Sequence, residues 1–378
     1  MTSWDEARRL AHRAATALPA VSVGLDQAAG RVLATDLVAL AALPSFDAAA
    51  MDGWVVCGPG PWTLVGSVLA GDPAFRPLRS GEAVEIATGA VLPAGGEGVI
   101  PYEAGPLSAA THPEGAHVRR RGEECEHGEV LLKAGDRLTA TALGLAAAVG
   151  LDQVQVRRAP RVLCLVTGSE LLTAGLPRDG RIRDAVGPLL VPALRSYGAE
   201  VTTLLHLHDD AAALRAALLA SDADLVVTSG ASSAGPADHL HAVLAALGAE
   251  VLVDGVSVRP GHPQVLARLP HGPVVIGLPG NPLAAIAGVI TLVQPVIAGL
   301  LGQGLPDLDS AVLAEEVPGI PGSHRLVPVV VRQGFASPTG HAGAAMLRGA
   351  AVADAFVVLS PGELGRSGDR VAVVALPG

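Results

Sequence analysis

The chain has 378 residues, of which 50% are hydrophobic and 16% charged, with a formal net charge of −10. This composition excludes intrinsic disorder and gives enough length for several packed domains. The acidic balance argues against a nucleic-acid partner, because phosphate backbones select basic surfaces. The opening stretch MTSWDEARRLAHRAA is charged and amphipathic and lacks the apolar segment of a secretory signal, so a cytoplasmic location is expected. Residues 4 to 18, with Trp4, Ala7, Leu10 and Ala14 at roughly helical spacing, predict an amphipathic helix.

From about Ser22 to Leu43 the pattern becomes short and strand-like. Between Trp54 and about Val130, short apolar runs (WVVCG, WTLVG, AVEIATG, GVIPYE) alternate with Gly and Pro, which predicts a small β-rich domain with tight turns. TATALGLAAAV (139–149) reads as a helix after that excursion, so the β domain is expected to be inserted into an N-terminal region whose halves flank it. Cys57, Cys125 and Cys164 are odd in number and widely spaced. They suggest neither a disulfide framework nor a zinc site, and Cys164 inside VLCLV reads as core.

The central third alternates strand and helix. Strands are expected at Val162–Val166, Glu200–Leu205, Leu225–Thr228, Val251–Val258 and Val274–Ile276, and helices at Val186–Tyr197, Ala211–Ala220, Asp238–Leu247 and Leu283–Leu300. Such a series predicts a parallel sheet covered by helices, with ligands at the carboxyl ends of its strands. The apolar run Pro282–Leu301 is broken by Gly288, Thr291, Gln294, Pro295 and Gly299, so it reads as a buried helix and not as a membrane span. After Gly302 the pattern is β-like again and predicts a small C-terminal barrel or sandwich.

Three strand ends carry small, donor-rich residues beside helix starts. They are Thr167-Gly168-Ser169-Glu170, Thr228-Ser229-Gly230 with Ser232 following, and Gly277-Leu278-Pro279-Gly280-Asn281-Pro282. Gly lets the backbone approach an anion, Ser and Thr add hydroxyl donors, and Asn281 before Pro282 is a good N-cap whose helix start would aim free N–H groups at one point. Carboxylates gather on the same edge at Glu170, Asp184, Asp209, Asp210 and Asp238. They can cap helices, hold a hard cation such as Mg2+, or do both. His206 and His208 lack a third ligand at diagnostic spacing and are read as structural. Arg119-Arg120-Arg121 is either a solvated charge run or an anion clamp.

PSFDAAAMDGWVV, EIATGAVLPAGGEGVIPYE, TGSEL, GRIRDAVGPLLVPALRSYGAEV, SGASSAGPAD, VRPGHP and LPGNP occur in this order over nearly the whole chain. Together they resemble the molybdopterin molybdenumtransferase family, the molybdenum-inserting enzymes of molybdenum-cofactor biosynthesis related to the E domain of gephyrin. The resemblance implies an α/β plus β architecture with four parts: a discontinuous N-terminal region (1–45 and 132–158), an inserted β domain (46–131), a three-layer α/β molybdopterin-binding domain (159–302) and a C-terminal β barrel (303–378). It also implies a homodimer, while the acidic charge and the interrupted apolar run leave no nucleic-acid or membrane partner expected.

The implied reaction takes adenylylated molybdopterin and molybdate, depends on Mg2+ and releases AMP. Matched position by position, Asp52, Asp238 and Arg259 are expected in catalysis. Glu170, Asp209 and Asp238 are expected to hold metal. Thr88, Thr167, Gly168, Ser229, Gly230, Ser232, Pro279, Gly280, Asn281 and Pro282 are expected to bind the pterin. Departures from the family pattern occur at Glu124, Val186, Ala231, Gly255, Arg259, His262 and Ala344, and they motivate an alternative: a catalytically impaired homologue that binds molybdopterin as a carrier or scaffold.

Overall fold

The structure, a computed structural model, describes residues 1–111, 113–230, 239–270 and 272–378. The chain divides into two units, one made of Met1–Val21, Gly30–Ala34 and Val156–Gly378, the other of Ser22–Ala29 and Thr35–Gln155.

In the first unit the β-branched runs form a six-stranded sheet. Its strands are β1 (Arg161–Thr167), β2 (Glu200–Leu207), β3 (Leu225–Ser229), β4 (Glu250–Asp254), β5 (Val265–Arg268) and β6 (Val274–Leu278), in the order β2-β1-β3-β6-β5-β4. The first four of that order are parallel, whereas β5 runs antiparallel to both neighbours. Every residue of β3 and β6 is buried, as expected of central strands covered on both faces. Alternation along β1 sorts its side chains: Val162 and Cys164 pack with Leu190 and Leu194 of the helix Val186–Ser196 on one face. Leu163 and Leu165 pack with Leu214, Leu218, Leu240 and Leu244 of the helices Ala211–Ala220 and Leu240–Ala246 on the other. Burial pushes the Cys164 thiol up to about 12, so it is an inert core residue, as its sequence context implies.

Successive strands leave β1 in opposite directions, to β2 on one side and β3 on the other. A crevice opens at the carboxyl ends of strands at such a switch point.

The expected strand Val251–Val258 is two strands in two sheets. Gly255, at φ +76°, turns the chain out of β4, and Val256–Arg259 joins a second sheet, pairing in parallel with Thr2–Ser3 and with His324–Arg332. That sheet continues into the C-terminal segment. There Asp309–Leu313, His324–Arg332, Phe335–Pro338, Ala355–Leu359 and Arg370–Ala375 close on themselves through the pairing of His324–Arg332 with Ala355–Leu359. The C-terminal segment is therefore a barrel and not a sandwich, with Val327, Val329, Val357, Val371 and Val373 in its core.

Pro282–Leu300 is helical throughout and long and apolar enough to cross a membrane, yet 89% of its most apolar stretch is buried within the protein. It is a core helix. Its turn Val289–Val293 widens into π geometry just before Pro295, which has no N–H to donate and would crowd the carbonyl one turn back. The N-terminal helix ends at Ala14 and packs on this helix with Trp4, Ala7, Ala11 and Ala14 inward. Trp4 is fully buried, its indole N–H donates to the Thr291 hydroxyl at 2.9 Å, and the Arg8 guanidinium lies 4.9 Å from its ring centre.

In the second unit a four-stranded sheet (Thr63–Val68, Glu82–Ile86, Gly53–Cys57 and Gly98–Pro101, in spatial order) buries Val55, Val84, Ile86 and Val99. Within the arginine run, Arg120 pairs with Asp47 at 2.7 Å and the Arg121 N–H donates to the same carboxylate at 2.8 Å. These contacts favour the charge-run reading of that stretch.

Replacing Trp4 with Ala empties a fully buried ring site and leaves Thr291 without its donor. Unfolding in urea should show a loss of about 3–5 kcal/mol. A loss under about 1 kcal/mol would mean that this contact does not anchor the helix.

Candidate functional site

The carboxyl edge of the sheet holds a cavity of about 460 Å³. Its lining comes from the ends of three parallel strands: Val166, Thr167, Gly168, Glu170 and Leu171 after β1, Ser229 and Gly230 after β3, and Gly280, Asn281 and Pro282 after β6. Ile182 to Val186, Asp209 and Ala345 complete it.

Local geometry explains why these positions are small. Gly230 sits at φ +86°, and a Cβ there would lie 2.4 Å from the Thr167 carbonyl oxygen. A Cβ at Gly280 would lie 3.4 Å from the Gly230 Cα. The main chains of the strand ends therefore nearly touch. The Thr167 hydroxyl donates to the Ser229 carbonyl at 2.8 Å and ties β1 to β3.

The amides expected to point at an anion are largely committed within the protein. Gly168 N–H donates to the Leu207 carbonyl and Gly230 N–H to the Leu278 carbonyl, which extends the ladders. At the helix after β6, Leu283 and Ala284 donate their N–H groups to the Ala344 carbonyl at 3.0 and 3.2 Å. Asn281 occupies the N-cap position without a side-chain capping bond, so the sequence expectation of an amide-lined helix start is corrected. Asn281 lines the cavity, and its side chain is not spent on capping.

The carboxylates divide by role. Asp184, 7% exposed, accepts from the Val186 and Gly187 N–H groups at 2.8 and 2.9 Å through Oδ1 and pairs with His206 Nε2 at 2.8 Å through Oδ2. It caps the helix Val186–Ser196, and His206 has the structural role expected of it. Asp210 caps Ala211–Ala220 by accepting from Ala212 N–H at 2.9 Å. Asp209 is not a cap. It accepts from Ser169 N–H at 3.0 Å while its own N–H donates to the Ser169 hydroxyl at 3.2 Å, a reciprocal latch between the β1 and β2 ends.

Of the residues expected from sequence, Thr167, Gly168, Glu170, Asp209, Ser229, Gly230, Gly280, Asn281 and Pro282 line this one cavity. Pro279 precedes it in the same turn. Arg259 is not in the lining. It is exposed, and its nearest hydrogen bond is to its own neighbour, the Val258 carbonyl, at 3.4 Å. Burial and the Arg259 charge hold His262 below the usual histidine range. Asp52 and Thr88 belong to the second unit, where the Thr88 main-chain N–H at 2.6 Å and hydroxyl at 2.9 Å keep the Asp52 carboxyl below its ordinary range. Ser232 and Asp238 lie outside the described residues. Sequence reasoning did not select Leu171, Ile182 and Arg183, which also line the cavity.

Comparison with known proteins matches the chain in three consecutive regions. Family profiles match the MoeA N-terminal region (domain I and II) over residues 2–150, a probable molybdopterin binding domain over 163–299, and the MoeA C-terminal region (domain IV) over 310–376. The chain is 37% identical over 331 residues to a molybdopterin molybdenumtransferase 2 of Mycobacterium tuberculosis, covering 81% of each. It belongs to the molybdopterin molybdenumtransferase family. A member of the family from Haemophilus influenzae is 36% identical over 296 residues, 74% of this chain and 73% of that one. Among solved structures, a molybdopterin biosynthesis MoeA protein from Pyrococcus horikoshii superposes with a TM-score of 0.81 at 28% identity, covering both chains fully. The cavity lies in the part of the chain matched by the molybdopterin-binding profile, apart from Ala345.

Substituting Gly230 with Ala should cost at least about 1–3 kcal/mol from the positive φ alone, with the contact to the Thr167 carbonyl adding to it. Thermal melts check this. Unchanged stability would show that the strand ends have room to separate.

Proposed function

We propose that the protein transfers molybdenum from molybdate onto adenylylated molybdopterin with release of AMP, acting as a cytoplasmic homodimer. The observation that carries this reading is the convergence of three strand-end loops on one cavity in a chain 37% identical to a named molybdopterin molybdenumtransferase. The same reading includes the four-part division of the chain and the roles of Asp52, Thr88 and Arg259.

Each lining group has work that follows from its chemistry. Thr167, Ser229 and the glycines hold the strand ends together and let a ligand approach the main chain closely. Asn281 offers an amide that bonds no other described residue, able to donate and accept toward a polar heterocycle. The carboxylates keep bulk anions out unless they arrive with a cation. Mg2+ fits the donor set in a specific way. The Glu170 carboxylate bonds no other described residue and Asp209 spends only Oδ2 on Ser169, whereas both oxygens of Asp184 are committed.

Among the described residues no group of three or more His, Cys, Asp and Glu could hold an ion alone. The complement would come from substrate oxygens and water, which is the habit of Mg2+. When bound, Mg2+ would offset negative charge on the phosphate oxygens. Asp238 is proposed to join Glu170 and Asp209 in holding it.

Purified protein given adenylylated molybdopterin, molybdate and Mg2+ should release AMP, read by chromatography. Asp209→Asn should lower that rate by about 10–100-fold and raise the Mg2+ requirement. Tight pterin binding without any AMP release would reject turnover in favour of a carrier or scaffold role.

A further inference from the structure

One feature of the cavity is not needed by the family match or by the carboxylates. The segment joining β1 to the helix Val186–Ser196 carries Arg178, Arg181 and Arg183 within six residues, in a chain whose net charge is −10. The segment is folded. Leu171–Leu172 pairs in parallel with Ile182–Arg183, and Arg178 and Arg181 exchange main-chain hydrogen bonds at 3.2 and 2.9 Å. The turn between them places Asp179 at φ 52° and Gly180 at φ 75°, the left-handed pair of a tight hairpin turn.

Two of the three guanidiniums are pinned by the segment's own carbonyls. Arg181 Nη2 donates to Leu171 at 2.9 Å, and Arg183 Nη1 donates to Gly175 at 3.0 Å. Arg183 is the sole basic residue among the described residues lining the cavity, whose lining also includes the acidic residues Glu170, Asp184 and Asp209. The bond to Gly175 uses one of its five N–H donors and fixes the fork, leaving the others free. Leu171 and the half-exposed Ile182 lie on the same segment and present apolar surface to the cavity.

A ligand matched to this wall needs a flat apolar face and an anionic group that accepts a planar, bidentate donor. A nucleoside phosphate has both. We propose that Arg183 is a specificity-determining residue of the site, gripping the phosphate oxygens of the nucleotide portion of the substrate while Leu171 and Ile182 pack against its ring. The proposal rests on the transferase reading above and adds to it the residue that recognises the nucleotide.

The physics favours a fixed cation here. Three carboxylates around a phosphate oppose its entry, and a pinned guanidinium restores attraction at little cost in side-chain ordering. Arg178 and Arg181 add positive potential along the approach without lining the cavity.

The test is calorimetric titration of the full-length protein with AMP and, in parallel, with adenosine, in Mg2+ at several ionic strengths. Arg183→Gln should weaken AMP binding by about tenfold or more, the scale of one charge-assisted hydrogen bond, and flatten its salt dependence. Adenosine affinity should stay unchanged. Unchanged adenosine affinity reports an intact site, and Arg183→Lys should recover part of the AMP affinity, so a loss through misfolding is distinguished from a loss of recognition. AMP affinity unchanged in Arg183→Gln, with normal AMP release, would overturn the role of Arg183 and leave the transferase reading standing. Wild-type protein that binds AMP through Arg183 but releases none from the adenylylated substrate would support the role and sink the transferase reading.

Discussion

The main chains of β1, β3 and β6 come within contact of one another at their carboxyl ends, and the site depends on that approach. Any side-chain carbon at position 230 would overlap the Thr167 carbonyl, and one at 280 would press on Gly230. With both positions bare, the Thr167 hydroxyl reaches the Ser229 carbonyl and the ladder bonds of Gly168 and Gly230 continue past the formal strand ends. The loops that follow leave the sheet at fixed angles. Glu170 and Asn281 inherit their positions from that geometry, and the Ser169–Asp209 latch ties the β2 end, with Asp209, to the β1 end.

A second consequence concerns charge. Helix starts attract anions when their first amides are free. Here the helix after β6 is satisfied by the Ala344 carbonyl from the C-terminal barrel, and the helix after the arginine segment is satisfied by Asp184. On the proposed function, recognition of a phosphorylated pterin would therefore fall to side chains: an uncommitted Asn, the carboxylates of Glu170 and Asp209, and a guanidinium fixed by its own loop. Such groups are directional and can discriminate between substrates, which a helix dipole cannot.

The alternating α/β pattern was readable because β-branched runs bounded by turn residues have few other interpretations, and β1, β3 and β6 lie where their sequences suggest. The run Val251–Val258 looks continuous by the same criterion. Periodicity carries no information that Gly255 hands the chain from one sheet to another, since that depends on where the barrel and Thr2–Ser3 wait to pair. About half of the cavity lining was legible, as strand-end Gly, Ser, Thr and Asn together with Glu170, Asp209 and Pro282. The commitment of Asp184 to two amides and His206 was not, because a carboxylate before a helix can cap or face a ligand with the same sequence. The Ala344 cap is a main-chain contact spanning some sixty residues, independent of side-chain identity and hence invisible in sequence. Arg183 sat within a quoted motif, yet an arginine in a polar loop reads as solvated charge until the loop is seen to fold against a cavity.

The most direct measurement is an experimental structure of the protein with AMP and Mg2+ bound. Nucleotide density bounded by Gly168, Gly230 and Asn281, with its phosphate on Arg183 and the ion between that phosphate and Glu170 or Asp209, is the predicted result. AMP lodged elsewhere on the chain, with this cavity holding only solvent, would contradict the placement of the reaction at the carboxyl edge of the sheet.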